Sequence, residues 1–394
     1  MKMKEARQMT KVLFLNVTTH GHVNPSLGLI NELTDRGIEV VYFSSEEFRE
    51  KIEAAGAEYR PYHYDLNIFK NGFNVLIDHG ADIIQDILDQ IENDSFDCII
   101  HSIAMPFSKQ IADYLMLPAI SMLAVFMGMK KFMQPNQTKI AGKFNALDEA
   151  YLQEAKKIEQ QFNLTMPEHF FDLIMNEEDL NIVFTSDYFI PAEERDFFDD
   201  KYVLVGADVY DRLEDLTDFP IEQIKSASNV LYISFGTIFG DFAKEIDQKV
   251  FNAFGHSEYL VVMAAHKVGL DELTIPENFI IRDYVPQNEV LKYADVAITH
   301  NGLNSMNDLI LNEVPFVSLP MGSDQPALAK RLTELNAGIC LDYQTVGSAE
   351  LQAAVEKVQI DPNYLTNLKT IKASFESAGG YKQAVDAIQI YLAE

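Results

Sequence analysis

The sequence has only two cysteines and few basic residues, and each shortage argues against certain kinds of site or partner. Neither Cys98 nor Cys340 has a second cysteine or a histidine at a motif spacing, so the sequence predicts neither a disulfide framework nor a zinc site. With 31 Lys and Arg against 60 Asp and Glu, the net charge is −29. Such an acidic chain argues against nucleic acid or an anionic membrane surface as its partner, because both attract basic patches.

Long apolar runs are missing as well. No stretch approaches the roughly 18 to 20 apolar residues that cross a bilayer, and the run VLFLNV near the N-terminus is shorter than a signal-peptide core. We interpret residues 1–10 as a leader to the first strand, with Met1 and Met9 as alternative starts, and we expect a cytoplasmic protein without a stable membrane anchor. A hydrophobic content of 47% over 394 residues predicts two globular domains.

Apolar runs of strand length alternate with helical patterns, which is typical of a doubly wound α/β fold. In the first half the predicted strands are residues 12–17, 38–43, 57–62, 98–102, 119–124, 181–185 and 202–205. The second half repeats this layout with strands at 231–235, 259–265, 279–285, 296–299 and 315–319. We expect a Rossmann-like domain at 1–205, an acidic linker at 206–227, a second Rossmann-like domain at 228–380 and a last helix at 381–394.

A turn and a helix start follow the predicted strand at 296–299. The polar or flexible residues there are His300, Asn301, Gly302, Asn304 and Ser305. Backbone N–H groups at a helix start lack intrahelical acceptors and lie at the positive end of the helix dipole, so this arrangement predicts an anion site. Taken alone, His300 would be a turn histidine bonded to backbone and Ser305 a helix cap. Their joint occurrence favours a phosphate site.

Other polar groups follow neighbouring strands of the second half. The strand at 315–319 is followed by Asp324 and Gln325, and the strand at 231–235 by Gly236 and Thr237. The carboxyl ends of parallel strands meet at one edge of a sheet, where such folds bind ligands. The sequence therefore predicts a diphosphate site with a carboxylate and an amide nearby. No paired-carboxylate motif stands at these strand ends, so no metal site is predicted.

In the first half, a loop at 18–23 follows the first strand and carries two histidines. We expect Asn24 and Pro25 to begin the next helix as its N-cap and first residue. Farther on, residues 126–179 are rich in Met and Phe. Most of these positions are expected to be core and surface of helices, but adaptable side chains there could also line an apolar acceptor pocket, namely Phe126, Met127, Met129 and Phe132.

Four motifs together resemble one enzyme family. The segments VPQ (285–287), THNGLNS (299–305) and DQ (324–325), with GHVNP (21–25) after the first strand, are similar to those of UDP-sugar-dependent glycosyltransferases of the GT-B fold. The resemblance runs from about residue 9 to the last helix and is greatest to bacterial members that glycosylate macrolides and flavonoids. It implies two facing Rossmann-like domains and a last helix that packs back on the first. It also implies a metal-independent, inverting transfer from a UDP-sugar, usually UDP-glucose, to a hydroxyl of a hydrophobic small molecule.

The resemblance also implies roles for single residues. His22 matches the general base, and Ser102 takes the position of the aspartate that usually orients it; His20 is the local rival of His22. Donor-binding positions in the family match Thr237, Tyr284, Val285, Gln287, His300, Gly302, Asn304, Ser305, Asp308, Asp324 and Gln325. Within this set, Tyr284 would stack on uracil. The nucleotide sugar is a co-substrate, and the resemblance implies no cofactor.

Three positions depart from the family pattern. Ser102 can accept a hydrogen bond from imidazole, but it cannot stabilise an imidazolium ion as a carboxylate would. Asn301 replaces a glycine of the turn; asparagine tolerates positive φ, although its side chain could intrude on the phosphate. Asp308 replaces a glutamate and shortens the reach to the ribose by one methylene.

Two other functions stay open at this point. The departures at Ser102 and Asn301 would also suit a sugar-nucleotide-binding auxiliary protein that has lost catalysis. A UDP-sugar epimerase shares the double Rossmann-like layout but needs acid and base groups around the sugar ring. The GHVNP segment and the Asp324–Gln325 pair favour transfer to an acceptor over both.

Overall fold

The computed structural model describes residues 9–67, 72–124, 127, 146–208, 210, 214, 216–235, 243–265 and 273–393. The chain divides into two compact units, of which the first is Met1–Tyr210 with Ser377–Glu394 and the second is Asp211–Glu376. The stretch at 206–227, expected as a linker, contains a helix at Ile221–Ser226 that follows Pro220 and belongs to the second unit.

The first unit is built on a seven-stranded parallel sheet with the order β3-β2-β1-β4-β5-β6-β7. Its strands are β1 Lys11–Leu15, β2 Glu39–Ser44, β3 Glu58–Pro61, β4 Cys98–Ser102, β5 Ala119–Leu123, β6 Asn181–Val183 and β7 Tyr202–Leu204. Alternate residues of β1 enter two different cores: Leu13 and Leu15 lie in one, Val12 and Phe14 in the other. The sheet is therefore buried on both faces, as its nearly unbroken apolar strands predict.

Among the described residues, six helices flank this sheet before the chain reaches the second unit. They are α1 His20–Asp35, α2 Arg49–Ala54, α3 Asn74–Gln90, α4 Ser108–Leu115, α5 Asp148–Phe162 and α6 Phe170–Leu173. Helix α3 is kinked at His79, and the buried carboxylate of Glu154 accepts the N–H of Ala81 at 2.9 Å just after the kink. The side chain thus replaces a backbone acceptor that the kink removes.

The second unit contains a six-stranded parallel sheet with the order β10-β9-β8-β11-β12-β13. Its strands are β8 Val230–Ser234, β9 Leu260–Ala264, β10 Phe279–Arg282, β11 Val296–Thr299, β12 Phe316–Ser318 and β13 Ile339–Cys340. Its helices are α7 Ile221–Ser226, α8 Ala243–Phe254, α9 Gln287–Leu291, α10 Leu303–Leu311, α11 Gln325–Glu334, α12 Ser348–Ile360 and α13 Pro362–Ser377. The two-residue strand β13 was not predicted, because it is too short to show a pattern.

The last helix, α14 Gly380–Ala393, packs against α1 within the first unit. A Cβ atom at Gly28 would lie 2.1 Å from the ring of Tyr381, so only glycine lets this ring rest on α1. Arg36 at the end of α1 pairs with Asp386 at 2.5 Å, and Val385 and Ile388 of α14 are fully buried in the core beneath. Among the described residues, no helix is both long and apolar enough to cross a membrane.

The predicted start of α1 is wrong. The helix begins at His20 and not at Asn24, and Pro25 lies inside it. The carbonyl of Thr19 accepts the N–H groups of both His22 and Val23, at 3.0 and 2.9 Å, and this closes the first turn upstream of the expected cap. The loop that was expected to carry the histidines is therefore the first turn of a helix.

Candidate active site

His22 lies at the carboxyl edge of the first sheet, in the first turn of α1. Its Nδ1 atom is 2.8 Å from Oγ of Ser102, the last residue of the neighbouring central strand β4. Eighty positions separate the two residues in the chain. They meet because β1 and β4 are adjacent parallel strands, whose ends reach the same edge. Ser102 is fully buried, whereas His22 is partly exposed.

A buried polar network fixes the turn that carries His22. The side-chain amide of Asn16, directly after β1, donates to the carbonyl of His22 at 2.9 Å and to the hydroxyl of Tyr42 at 2.7 Å. The Tyr42 hydroxyl is also 2.9 Å from Oγ of Ser26 in α1, and the N–H of Asn16 donates to the Tyr62 hydroxyl at 3.1 Å. This network was not predicted from the sequence, although the polar Asn16 at the end of the apolar run VLFLN was a signal for it.

The surroundings of His22 keep its imidazole neutral. Desolvation by the surrounding protein lowers the pKa of His22 to about 4, and the positive end of the α1 dipole disfavours a cation in the first turn as well. At neutral pH the ring is therefore uncharged, and Nε2 is the ring nitrogen that Ser102 does not contact. A neutral imidazole on an ordered backbone can accept a proton from a hydroxyl within hydrogen-bond reach.

His20, the rival base, is placed differently. Its ring packs edge-on against Phe48, with the ring centroids 4.9 Å apart. Phe48 is fully buried, so this contact ties His20 to the core beside β2. The contact with Ser102 is made by His22.

His300 lies at the corresponding edge of the second sheet, directly after β11. Its backbone N–H donates to the carbonyl of Ser234 at 3.1 Å, and its Nδ1 atom is 3.3 Å from the same oxygen. Burial lowers the pKa of His300. A Cβ atom at Gly302 would lie 2.7 Å from Nε2 of this ring, so the glycine gives the imidazole its room.

Asn301 adopts the left-handed conformation that sequence analysis allowed for it, with φ of 65°. Its side chain is fully buried, and Oδ1 accepts the hydroxyl of Ser318 from β12 at 3.2 Å. Nδ2 is buried without a partner among the described residues. The side chain is thus turned toward β12 of the sheet.

Helix α10 begins directly after this turn, with Gly302 as its N-cap and Asn304 and Ser305 in its first turn. The N-terminus of α10, with its N–H groups and the positive end of the helix dipole, therefore lies at the edge of the sheet. His300 is only a few residues away in the sequence. This is the geometry of an anion site.

Gln287, at the start of α9, joins several of the predicted donor residues. Its Nε2 donates to Oδ2 of Asp308 at 2.6 Å, and its Oε1 accepts the buried Tyr232 hydroxyl at 3.0 Å. Ser305 reaches the same Oε1 at 3.5 Å. Tyr232 was not predicted as a site residue, because the sequence of a buried strand does not indicate what a tyrosine hydroxyl contacts. Tyr284 is 48% exposed, whereas Val285 is buried.

Asp324 and Gln325 lie at the N-terminus of α11. Burial raises the pKa of Asp324. Gln325 is buried, and its Oε1 accepts the N–H groups of Met321 and Gly322, at 2.8 and 3.1 Å. The carbonyl half of this amide therefore holds the preceding loop, and its Nε2 group is the half left for a ligand.

Four predicted positions lie outside the described residues, namely Phe126, Met129, Phe132 and Thr237. Met127 is described and is buried. The acceptor pocket expected around these side chains stays a prediction.

Two parallel sheets in separate units, each with polar side chains at the carboxyl ends of its central strands, are the layout of the GT-B fold. The chain superposes on the solved structure of the glycotransferase of kitacinnamycin with a TM-score of 0.78 and 22% identity, covering 98% of this chain and 100% of that one. The two proteins therefore share this fold.

Sequence comparison gives the family. The profile of UDP-glucoronosyl and UDP-glucosyl transferases matches residues 214–375. The uncharacterized UDP-glucosyltransferase YdhE of Bacillus subtilis (strain 168) is 34% identical over 96% of this chain and 98% of its own. Oleandomycin glycosyltransferase of Streptomyces antibioticus is 25% identical over 97% of this chain and 90% of its own. The chain belongs to the UDP-glucosyltransferase family and is a glycosyltransferase.

Proposed function

We propose that this enzyme transfers glucose from UDP-glucose, with inversion, to a hydroxyl of a hydrophobic natural product, and that His22 is the general base. The observation that carries the proposal is the neutral, partly exposed imidazole of His22, held through Nδ1 by Ser102 at the end of a central strand. Oleandomycin glycosyltransferase, which is similar over nearly the full chain, supports a natural product as the acceptor.

The donor side of the proposal rests on the second unit. His300 and the first turn of α10 would hold the diphosphate, since a histidine and a helix N-terminus together favour anions. The exposed ring of Tyr284 would stack on uracil, and Asp308, held by Gln287, would bind ribose hydroxyls. Asp324 and Nε2 of Gln325 would bind the hydroxyls of glucose.

The proposed reaction is a single displacement. The acceptor oxygen forms a bond to the anomeric carbon while the bond from that carbon to the β-phosphate oxygen breaks. The acceptor proton passes to Nε2 of His22, and UDP leaves with the bonding electrons. Attack from the side opposite the leaving group inverts the anomeric configuration. An alcohol is a poor nucleophile at neutral pH, so a positioned base supplies about 10²–10⁴-fold of the rate.

We also propose that the reaction needs no metal ion and that the enzyme is cytoplasmic. In the part of the chain that the structure describes, no three His, Cys, Asp or Glu side chains gather as a ligand set. A histidine and a helix dipole would instead neutralise the leaving diphosphate. Cys98 and Cys340 are both free thiols, which supports a reducing compartment.

A donor-by-acceptor screen read by mass spectrometry tests this function. UDP-glucose, other UDP-hexoses and dTDP-glucose would be paired with phenolic, macrolide and aliphatic acceptors, with and without EDTA. We expect a mass gain of one hexose, greatest with UDP-glucose and unchanged by EDTA, and a β-linkage by NMR of the product. Donor binding without transfer to any acceptor would contradict the proposal and match an auxiliary binding protein. An isomerised nucleotide sugar without product would match an epimerase.

A further inference from the structure

The hydroxyl of Ser102 has a restricted choice of partners. It is fully buried, its oxygen accepts the N–H of Ala104 at 3.3 Å, and it lies 2.8 Å from Nδ1 of His22. Over the described residues, Nδ1 of His22 is the one acceptor recorded within reach of its hydrogen. A buried hydroxyl hydrogen without an acceptor is costly, so the satisfied arrangement has Ser102 donating to Nδ1.

This donation sets the tautomer of the imidazole. A neutral imidazole has one protonated nitrogen, so an Nδ1 that accepts from Ser102 leaves the hydrogen on Nε2. Nε2 is then a donor and cannot take the acceptor's proton until the tautomer changes. A carboxylate in place of Ser102 could only accept, and it would therefore hold the hydrogen on Nδ1 and keep Nε2 open.

The surroundings of His22 do not stabilise its protonated, positively charged form. Desolvation is the cause of its lowered pKa, and no carboxylate among the described residues offsets it. Taking up a proton therefore costs this base more than it would cost a base paired with aspartate.

We propose that Ser102 makes this glycosyltransferase selective for acidic acceptor hydroxyls, such as those of phenols and enols, over aliphatic alcohols. This inference rests on the proposed function, because it takes His22 as the base and names the acceptor class of that same site. A phenol has a pKa near ~10, as tyrosine does, whereas an aliphatic hydroxyl is closer to water at ~15.7. The weaker the base, the more the rate depends on the acidity of the acceptor.

The tautomer can be measured without any turnover. Protein labelled with ¹⁵N-histidine would be studied by two-bond ¹H–¹⁵N NMR at pH 7, with the His22 signals assigned from their loss in His22→Gln. We expect Nε2 to carry the hydrogen in the natural enzyme and Nδ1 to carry it in Ser102→Asp. The matched control is Ser121→Ala on the adjacent strand β5, which removes a buried hydroxyl without a partner among the described residues. A natural enzyme with the hydrogen on Nδ1 would overturn the role of Ser102.

The acceptor preference is tested by kcat/KM for a set of phenols of graded pKa and for alcohols of matched size. In the natural enzyme we expect kcat/KM to fall steeply as acceptor pKa rises. Ser102→Asp should raise the value for alcohols about tenfold or more and the value for phenols less than about threefold. Equal effects on both classes, or a natural enzyme that prefers alcohols, would contradict the proposal.

Ser102→Ala is a second test that does not depend on whether Ser102→Asp folds with a buried aspartate. Without the hydroxyl, His22 can exchange tautomers, so we expect a mixture by NMR and a ratio of alcohol to phenol rates about threefold higher. A loss of rate on both classes would instead show that Ser102 only orients the ring. If the natural enzyme transfers to no acceptor, the proposed function fails, while the tautomer experiment still decides what Ser102 does.

Discussion

His22 and His300 occupy equivalent places in the two units, yet their partners differ in one property. Each follows a central parallel strand, and burial lowers the pKa of each. Nδ1 of His300 faces the backbone carbonyl of Ser234, which can only accept a hydrogen bond. Nδ1 of His22 faces the hydroxyl of Ser102, which can donate or accept.

In a neutral histidine, the hydrogen-bond partner of one ring nitrogen decides whether the other nitrogen can donate or accept a proton. The carbonyl holds the hydrogen of His300 on Nδ1, so Nε2 can donate to a phosphate only when the ring is charged. The hydroxyl of Ser102 instead donates to Nδ1 of His22 and holds the hydrogen of that ring on Nε2. His300 therefore suits the binding of an anion with uptake of a proton, and His22 suits proton transfer only after its tautomer has changed.

Removing His22 should have the largest effect. In His22→Ala we expect kcat to fall by about 10²–10⁴-fold, because the acceptor loses its base, while UDP binding changes less than about twofold. Steady-state kinetics and calorimetry with UDP measure the two values. The control is His20→Ala, which removes a ring packed on Phe48. An unchanged kcat in His22→Ala would rule out the base assignment.

Gly302→Ala tests the other histidine. The new Cβ would lie 2.7 Å from Nε2 of His300 and would displace the ring. We expect UDP affinity to fall about tenfold, which corresponds to about 1.4 kcal/mol, and the tautomer of His22 to be unaffected. Gly347→Ala is the matched control, since Gly347 is also a helix N-cap of the second unit and has nothing within 4 Å of a Cβ. Equal losses in the two variants would show that His300 does not bind the donor.

The charge of His300 predicts proton uptake on donor binding. Burial lowers its pKa in the free protein, so the ring is neutral above its ordinary value near ~6.5. A bound diphosphate favours the cation and raises the pKa, so affinity should be highest at low pH and fall as pH rises through the window between the two values. We expect Kd to rise by about three- to tenfold per pH unit in that window.

Calorimetry with UDP-glucose measures this uptake, because the sugar diphosphate does not itself titrate near neutral pH. The measurement uses His22→Ala, which prevents turnover and removes the second histidine, in two buffers of different ionisation enthalpy. Loss of the pH dependence in His300→Asn would assign the proton to His300. If the affinity of His22→Ala for UDP-glucose does not depend on pH, His300 binds the diphosphate as a neutral ring.

Much of the fold could be predicted because short apolar runs bounded by turn signals mark buried parallel strands. The predicted bounds of β4 and β11 are those of the structure, and both active-site turns follow these strands or their neighbours. The start of α1 could not be predicted. It depends on Asn16, whose amide binds the His22 carbonyl from the end of β1, and local capping rules do not include that contact.

The site was predictable in its residues but not in their hydrogen bonds. The family resemblance gave Ser102 the position of the residue that orients His22, and the structure brings the two to 2.8 Å. Which of them donates depends on the N–H of Ala104, a contact that no motif reveals. Likewise, Gln287 was expected among the donor-binding residues, but its bonds to Asp308 and Tyr232 join three separate elements.

Asn301→Gly should have the smallest effect, and it tests whether the turn after β11 needs its side chain. Glycine adopts φ near the observed 65° more easily than asparagine, and the lost amide includes a buried Nδ2 without a partner among the described residues. Both effects stabilise the variant, whereas the loss of Oδ1 of Asn301 destabilises it by removing the acceptor of the Ser318 hydroxyl. We expect the free energy of unfolding to change by less than about 1 kcal/mol.

UDP affinity in Asn301→Gly should change less than about twofold, because the side chain is buried toward β12 and the contact of His300 with Ser234 does not involve it. Denaturant unfolding and calorimetry measure the two quantities. Asn301→Ala is the matched control: it removes the same amide but keeps a Cβ at positive φ, so it should be less stable than Asn301→Gly. A large gain in UDP affinity in Asn301→Gly would show that the asparagine hinders the phosphate, and that the two histidine sites differ in more than their hydrogen-bond partners.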